Sequence, residues 1–333
     1  MNRIHSLGHR SIWLIIIVLS FLLPLALQLG YIQHIMIMAM VYIILTLSLN
    51  LIAGNTGYVS FAHPAFYAIG AYTSGILLKT SAIPFLGILL FSGILPMAIS
   101  IALGYLFFSR VRGFAFAMTT LAFNAIAGLI LSSVLPNIVK GVEFQGVYAI
   151  PRATISIPPL FTFTLTSNIH YYYFLLCITL PFIGLMSRLM STKVGRALTA
   201  IRENELLAEA LGINTLNNKV LAFAIGAFFA GIAGGFLAPY ITFVSPDLAS
   251  AYYWVLFFTM LFAGGPGTLI GPIIGATVFS VLPELLRFAP GVSFTPELRQ
   301  ALFGLSLLLI IILIPDGIGG KIKEIIYRRR ARA

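Results

Sequence analysis

The sequence predicts an all-α membrane protein: a polytopic transmembrane helical bundle of about 10 spans, with both termini in the cytoplasm. Hydrophobic residues make up 59% of the 333 positions, charged residues make up only 9%, and the mean hydropathy is +1.02. A conventional water-exposed surface cannot be built from this composition. The apolar runs are long and continuous, whereas the strands of a membrane barrel would alternate polar and apolar residues.

The predicted spans follow from the apolar runs, since about 20 residues of helix cross the hydrocarbon core of a bilayer. The first run follows Arg3 and Arg10 without a small-x-small cleavage site, so we expect a retained helix rather than a signal peptide. Two late runs are separated only by Pro266 and Gly267, so one broken or re-entrant element, and a total of eight or nine spans, are alternatives. In chain order the predicted spans are residues 12–30, 32–53, 62–79, 85–108, 113–135, 170–190, 218–240, 251–265, 268–287 and 298–315.

The basic residues predict the direction of these spans. Ten spans that start in the cytoplasm place 15 Lys and Arg residues in cytoplasmic segments and 5 outside. Such an excess is typical of the cytoplasmic side of a membrane protein. The net charge of +11 is therefore explained by orientation in a membrane, and no nucleic-acid partner is expected.

Two polar segments are longer than tight turns. Residues 136–169 form a predicted external loop that carries Lys140, Glu143 and Arg152, and residues 191–217 form a predicted cytoplasmic loop. The composition shows no linker and no water-soluble domain between the spans. We therefore expect residues 1–333 to form a single membrane domain.

Composition and motifs disfavour several classes of function. The five histidines are scattered without metalloprotease spacing, and the sequence contains no Walker-type phosphate loop. All nine acidic residues fall in loops or near span ends, whereas ion-coupled carriers usually hold ionisable groups within the membrane. The sequence therefore disfavours an enzyme and an ion-coupled carrier. A transporter driven by an outside energy source and a passive channel are the classes that remain.

The sequence GRALTAIRENELLAEALGIN, residues 195–214, predicts a short amphipathic helix in the cytoplasmic loop. Leu198, Ile201, Leu207 and Leu211 supply its apolar positions, and Gly212 is a typical helix stop. The segment is too polar to span a membrane. It is compatible with a helix lying on the lipid headgroups or with a docking helix for a cytoplasmic partner.

This segment closely resembles the cytoplasmic coupling loop in permease subunits of branched-chain amino acid ABC importers. That family also includes permeases for urea and short amides. Two further stretches are similar to the family: GYVSFAHPAFYAIGAYTSGILL at residues 57–78 and FAGGPGTLIGPIIGA at residues 262–276. The resemblance extends from about residue 40 to residues 315–318.

The resemblance implies a transport subunit of the cytoplasmic (inner) membrane, not an enzyme. No cofactor is expected in this chain, because partner ATPase subunits would bind ATP and magnesium. The implied partners are a second permease, two cytoplasmic ATPase subunits, an extracytoplasmic substrate-binding protein and the lipid bilayer. Branched-chain amino acids are the implied substrates, with urea, short amides or other amino acids as the near alternative and a secondary carrier or channel as the alternative of a different class. The residues that the resemblance assigns to ATPase coupling are Arg202, Glu203, Asn204, Leu207, Ala208, Leu211 and Gly212.

The other two similar stretches supply candidates for tight packing or for a place beside the transport pathway. Small residues let helices approach closely, so packing is the stronger interpretation. For Ser60 and His63, which precede Pro64, a helix cap is expected rather than a substrate contact. The candidates are Gly57, Ser60, His63, Gly70, Gly265, Gly267 and Gly271.

The predicted external loop departs from the family pattern. The family often has a Thr-Gly-Gly-x-x-Gly-like turn before an Ile-Pro pair, whereas residues 140–146 read KGVEFQG ahead of Ile150 and Pro151. The threonine and one glycine are missing and a charge has entered. If this loop shapes the route of the substrate, the substrate or its binding protein differs from the usual branched-chain case.

Overall fold

The computed structural model describes residues 29–139, 145–157, 161–287 and 295–313, together with Phe21, Pro24, Val142, Glu143 and Gly317. Two α-helices continue as π-helical turns, Asn50–Gly54 and Ile130–Val134, and a 3-10 turn covers Pro246–Ala249. In chain order the α-helices are α1 (Gly30–Leu49), α2 (His63–Thr80), α3 (Phe85–Arg110), α4 (Phe114–Leu129), α5 (Leu135–Ile138), α6 (Asn168–Ser191), α7 (Lys193–Glu203), α8 (Glu205–Ala210), α9 (Thr215–Ile241), α10 (Ala251–Gly264), α11 (Ile270–Arg287) and α12 (Pro296–Leu313).

Within the described residues, 5 helical segments are long and apolar enough to cross a membrane, and they coincide with five predicted spans. The predicted total of about 10 is not confirmed. The helix α2 forms where residues 62–79 were predicted to span, but it contains too many polar residues to qualify, and α10 has only 14 residues. The predicted span at residues 12–30 lies almost entirely outside the described residues, as do both termini. The qualifying segments are Gly30–Gly54, Phe85–Arg110, Phe114–Ile138, Asn168–Ser191 and Thr215–Ile241.

Basic residues gather at one end of the bundle. Asn168, at the start of α6, donates to the carbonyl of Gly30, so α1 and α6 begin at the same end. Asn50, at the far end of α1, reaches the loop that precedes α11. The opposite end of the described bundle carries Lys79, Arg152 and Arg287. The end that we call the basic end carries Arg110, Arg112, Arg188, Lys193, Arg196, Arg202 and Lys219.

The helix α9 is the centre of the bundle and packs against α2 and α3 through glycine contacts. A Cβ atom added at Gly70 would collide with the backbone of Gly231, and one added at Gly234 would collide with the carbonyl of Tyr67. Without side chains at these positions, α2 and α9 approach closely enough for backbone contact. The core of the bundle is therefore built on helix–helix proximity as much as on large apolar side chains.

The helices α10 and α11 form a tight antiparallel hairpin. A Cβ at Gly264 would meet the backbone of Gly271, and one at Gly275 would meet the carbonyl of Met260. The 3-10 turn before α10 lies within the bundle rather than at its end, because Asn124 in the middle of α4 donates to the carbonyl of Ala249 at 2.7 Å. The helix α10 can therefore be short and still reach the basic end.

The end opposite the basic end carries a two-stranded antiparallel sheet, which the all-α prediction missed. Its strands are β1 (Thr154–Ile157) and β2 (Phe161–Thr164), with Thr154 opposite Thr164 and Ile157 opposite Phe161. Threonine or serine alternates with isoleucine or phenylalanine in both strands, as expected for a half-buried strand. That alternation was a usable signal in the sequence.

Candidate functional site

The predicted coupling segment consists of two short helices instead of one. The helix α7 ends at Glu203, Asn204 takes an extended backbone conformation, and α8 starts at Glu205. The side chain of Asn204 accepts a hydrogen bond from the amide of Leu207 at 3.0 Å and so caps the second helix. Asparagine favours this role because its side-chain oxygen satisfies an amide that has no partner within the helix.

The break at Asn204 turns the apolar residues of the two helices in opposite directions. Leu198 and Ile201 on α7 are buried against the bundle, whereas Leu207 and Leu211 are 58% and 74% exposed. Leu206 is 67% exposed beside them. The prediction of one amphipathic helix with a single apolar face is therefore wrong. We call the outward surface of Leu206, Leu207 and Leu211 the leucine face.

The predicted coupling residues occupy different positions around this face. Arg202, Glu203 and Asn204 are exposed, but Ala208 is only 2% exposed and packs inward against the chain itself. Gly212 ends α8 with a positive φ of 83°.

The end of α8 is a Schellman arrangement centred on Gly212. The amide of Ile213 donates to the carbonyl of Ala208 at 3.0 Å, and the amide of Gly212 donates to the carbonyl of Glu209 at 2.9 Å. A residue in the left-handed region satisfies both carbonyls, and glycine adopts that conformation at the least cost. The predicted helix stop at Gly212 is thus confirmed.

A buried ion pair anchors α8 to the bundle. The ammonium of Lys219, on α9, lies 2.5 Å from Oε1 of Glu205, and the lysine side chain is 2% exposed. The hydroxyl of Tyr58 donates to the other carboxylate oxygen of Glu205. The ammonium also lies 4.7 Å from the centroid of the Tyr58 ring and 5.2 Å from that of Phe108, which are favourable cation–π positions. We call Tyr58, Glu205 and Lys219 the anchor triad.

The anchor triad shifts the acid–base behaviour of its members. Partial burial would raise the pKa of Glu205, but hydrogen bonds from Lys219 and Tyr58 outweigh burial and hold the pKa below its ordinary value. Burial and the neighbouring Glu205 carboxylate raise the pKa of the Tyr58 hydroxyl. Glu205 is therefore an anion and Tyr58 a neutral donor at neutral pH.

Arg202 joins residues that the sequence analysis had assigned to separate functions. Its side chain lies against Gly57, in the turn before α2, and against Gly267, in the loop before α11. Both glycines have positive φ, 77° and 78°. A Cβ at Gly267 would collide with the Arg202 guanidinium, so the end of α7 fits into a notch that only glycine leaves open.

Asn50 joins the same loop to the end of α1. It lies in the π-helical turn Asn50–Gly54, and its side-chain amide bonds the backbone at Gly267 and Thr268. Single π-helical turns inside α-helices occur frequently at functional sites. The coupling segment, the end of α1 and the α10–α11 hairpin thus meet at the basic end.

Two further glycine candidates, Gly265 and Gly271, belong to the α10–α11 hairpin. Gly265, with φ of 111°, follows α10, and a Cβ at Gly271 would meet the carbonyls of Gly264 and Gly265. The positive φ accounts for glycine at position 265, and close packing accounts for glycine at position 271.

Ser60 and His63 do not cap α2, contrary to the prediction. The cap position is Ala62, which makes no side-chain cap hydrogen bond, and Ser60 Oγ accepts a long hydrogen bond of 3.4 Å from the amide of Ala62. His63 is fully buried, and neither ring nitrogen has a hydrogen-bond partner among the described residues. Phe66 and Phe223 meet its ring edge-on. His63 is therefore a core residue with unsatisfied nitrogens in this structure.

At the end opposite the basic end, backbone hydrogen bonds hold the described residues of the loop that departs from the family pattern. Glu143 pairs with Gly146, and Val147 pairs with Val244 after α9. Gly146 has φ of 136°, and a Cβ there would collide with the carbonyl of Val244. Glycine at position 146 is thus required by a close backbone contact.

The described residues contain no group of three or more His, Cys, Asp or Glu side chains that could hold a metal ion. The anchor triad was missed in the sequence analysis because Tyr58 and Lys219 are far apart in the chain. One signal was available: Lys219, the fifth residue of α9, is the only charged residue in that helix. Such charges are usually paired.

The fold and the basic end are those of a helical membrane protein, in which the exposed leucine face lies beside the anchor triad. A family model for the permease component of branched-chain amino acid transport systems matches residues 31–312. The chain belongs to this family.

Individual relatives agree with the family assignment. The chain is 31% identical over 273 residues to the high-affinity branched-chain amino acid transport system permease protein LivM of Salmonella typhimurium, covering 75% of this chain and 62% of LivM. It is 26% identical over 320 residues to a probable branched-chain amino acid transport permease protein LivM of Methanocaldococcus jannaschii, covering 83% and 90%. It is 26% identical over 297 residues to the permease protein LivH of Escherichia coli, covering 84% and 91%. The matched region thus spans less than two thirds of the Salmonella relative, and no solved structure matches the chain.

Proposed function

We propose that this chain is the permease subunit of an ABC importer that carries branched-chain amino acids across the cytoplasmic membrane, with ATP hydrolysed by separate subunits. The leucine face is the observation that carries the proposal. Three large apolar side chains project from the basic end on a helix that a buried ion pair holds in place. Exposed apolar residues grouped in this way are typical of a surface that binds another protein.

The basic end also supports an orientation of the protein in the membrane. We place the basic end and both termini in the cytoplasm, because positively charged segments are retained there. Residues 191–217 then face the cytoplasm and residues 136–169 face outward, in one membrane domain of residues 1–333. The full count of about 10 spans stays part of the proposal.

The proposed partners are a second permease, two cytoplasmic ATPase subunits and an extracytoplasmic substrate-binding protein. ATP and magnesium bind to the ATPase subunits, and this chain requires no cofactor of its own. Contact of the leucine face with an ATPase subunit would let closure of the ATPase pair move the permease helices.

The names of the relatives support branched-chain amino acids as the substrates. Urea, short amides or other amino acids form the alternative within the family, because the external loop departs from the family pattern at residues 140–146. A secondary carrier or channel is the alternative of a different class, and it would transport without ATP.

The test is uptake by the whole complex, purified with its partner subunits and reconstituted in liposomes. Labelled leucine and labelled urea are supplied with the binding protein on one side, and ATP is supplied on the ATPase side. We expect leucine uptake that requires hydrolysable ATP and exceeds urea uptake. Leucine uptake without ATP would contradict the importer, and ATP-driven uptake of urea alone would contradict only the proposed substrate.

A further inference from the structure

We propose that Lys219 is a positioning residue for coupling: through Glu205 and Tyr58, it fixes the leucine face relative to the turn before α2. This inference rests on the proposed function, because it concerns how movement at that face reaches the membrane helices. Lys219 itself touches neither substrate nor nucleotide in this scheme.

The charge of Lys219 lies in a buried position. The Lys219 side chain is 2% exposed and that of Glu205 is 16% exposed. Removing two charges from water is costly, and an apolar pair of similar volume is often as stable or more stable. Stability alone therefore does not account for an ion pair at this position. Buried ion pairs can instead specify one arrangement of the elements that they join.

Several elements of the fold meet at the ammonium group of Lys219. Lys219 belongs to α9, Glu205 is the first residue of α8, and Tyr58 lies in the turn between α1 and α2. Phe108 near the end of α3 lies within cation–π distance, and the Tyr58 ring packs edge-on against Phe116 of α4. A displacement of α8 would have to break these contacts or carry the neighbouring elements with it.

The hydrogen bonds of Glu205 also set the direction of α8. Glu205 presents one oxygen to Lys219 and the other to Tyr58, so both carboxylate oxygens are engaged. Apolar packing tolerates sliding and rotation, whereas this arrangement fixes the distance and the rotation of α8. The leucine face begins at the very next residue, Leu206. Fixing Glu205 therefore fixes the direction in which the face points.

A second ion pair in the same region provides a matched control. Arg112, after α3, lies 3.6 Å from Glu209 of α8, but the two side chains are 60% and 37% exposed. Exposed ion pairs contribute little, because water and salt screen them. Loss of Arg112 removes a link between α8 and the end of α3, while every hydrogen bond of the anchor triad keeps both of its partners.

The experiment uses the whole complex in liposomes, after ATP-driven uptake has been established for the wild type. Absence of that uptake in the wild type would contradict the proposed function itself, whichever role Lys219 has. The variants are Lys219→Met, Lys219→Arg, the double variant Glu205→Leu with Lys219→Leu, and the control Arg112→Gln. For each variant, co-purification of the ATPase subunits, thermal stability, ATP hydrolysis and uptake are measured.

We expect Lys219→Met to lower uptake per ATP hydrolysed by about tenfold, within the usual range of coupling energies between sites. Lys219→Arg should recover part of the loss, and Arg112→Gln should behave as wild type. The double variant leaves no unpaired charge, so we expect it to assemble and hydrolyse ATP with uptake still reduced. Wild-type uptake per ATP in the assembled double variant would overturn the proposal, since the triad would then serve stability alone.

Discussion

The side-chain amide of Asn50 brackets the backbone at Gly267: Oδ1 accepts from the Gly267 amide at 2.8 Å, and Nδ2 donates to the carbonyl of Thr268 at 2.8 Å. The two residues are 217 positions apart in the chain. One side chain thus ties the π-helical turn that ends α1 to the tip of the α10–α11 hairpin. Asn50 is 4% exposed, and the backbone groups that it bonds are partly buried.

The first prediction concerns this bracket. Asn50→Ala removes two hydrogen bonds to partly buried backbone groups, each worth about 0.5–1.5 kcal/mol. We expect a clear fall in the thermal stability of the protein in detergent. The matched control is Asn217→Ala, because Asn217 is exposed and its side chain accepts a long hydrogen bond of 3.3 Å from Tyr105. Equal stability of the two variants would show that the bracket is not a structural tie.

The second prediction concerns helix proximity at the centre of the bundle. Gly70→Ala forces α2 away from the backbone of Gly231, so the α2–α9 contact must open. The control Gly184→Ala places the same methyl group in open space on α6. Because alanine favours helix over glycine by about 1 kcal/mol, the control should be neutral or stabilising. Melting of both variants in detergent checks this, and a stable Gly70→Ala protein would argue against close packing.

The third prediction separates the Arg202 notch from backbone strain. Gly267→Ala and Gly113→Ala both place a side chain at positive φ, 78° and 56°. Only the first also collides with a neighbour, Arg202, because Gly113 has nothing near its added methyl group. We therefore expect Gly267→Ala to lose more stability and more ATP-driven uptake than Gly113→Ala. Similar losses would mean that strain alone requires glycine at 267.

The fourth prediction follows from the depressed pKa of Glu205. A carboxylate whose folded pKa lies below its ordinary value of 4.5 stabilises the fold fully above that value. Its contribution is lost as the pH falls through the lower, folded pKa. The difference in melting temperature between wild type and Glu205→Gln should hence be constant around neutrality and shrink in acid. A difference that grows on acidification would have the wrong sign.

The sequence predicted the long helices well, because each depends on an apolar run that needs no distant partner. Residues 32–53, 85–108 and 218–240 all became helices of nearly those bounds. The total number of spans could not be obtained in the same way. The helix α10 contains only 14 residues and starts within the bundle beside Asn124. Its length therefore does not show whether the chain crosses the membrane at this point.

The candidate site was predicted only in part. Gly212 was identified as a helix stop because glycine favours the left-handed conformation regardless of its surroundings. The break at Asn204 was missed, and with it the opposite directions of Ile201 and Leu207, because the helical spacing continues across it. The pairing of Glu205 with Lys219 depends on the tertiary fold, so spacing along the chain could not show it.

The most direct test of the central claim is a cross-link between the leucine face and an ATPase subunit. Cys177 is exposed, so it is first replaced by serine. Leu207→Cys and Leu211→Cys are then compared with Ala208→Cys, which lies on the same helix but is buried. In the complex, a thiol-reactive cross-linker should join the two leucine positions, but not position 208, to an ATPase subunit. Absence of a cross-link from both leucine positions in an assembled, ATP-hydrolysing complex would contradict the account.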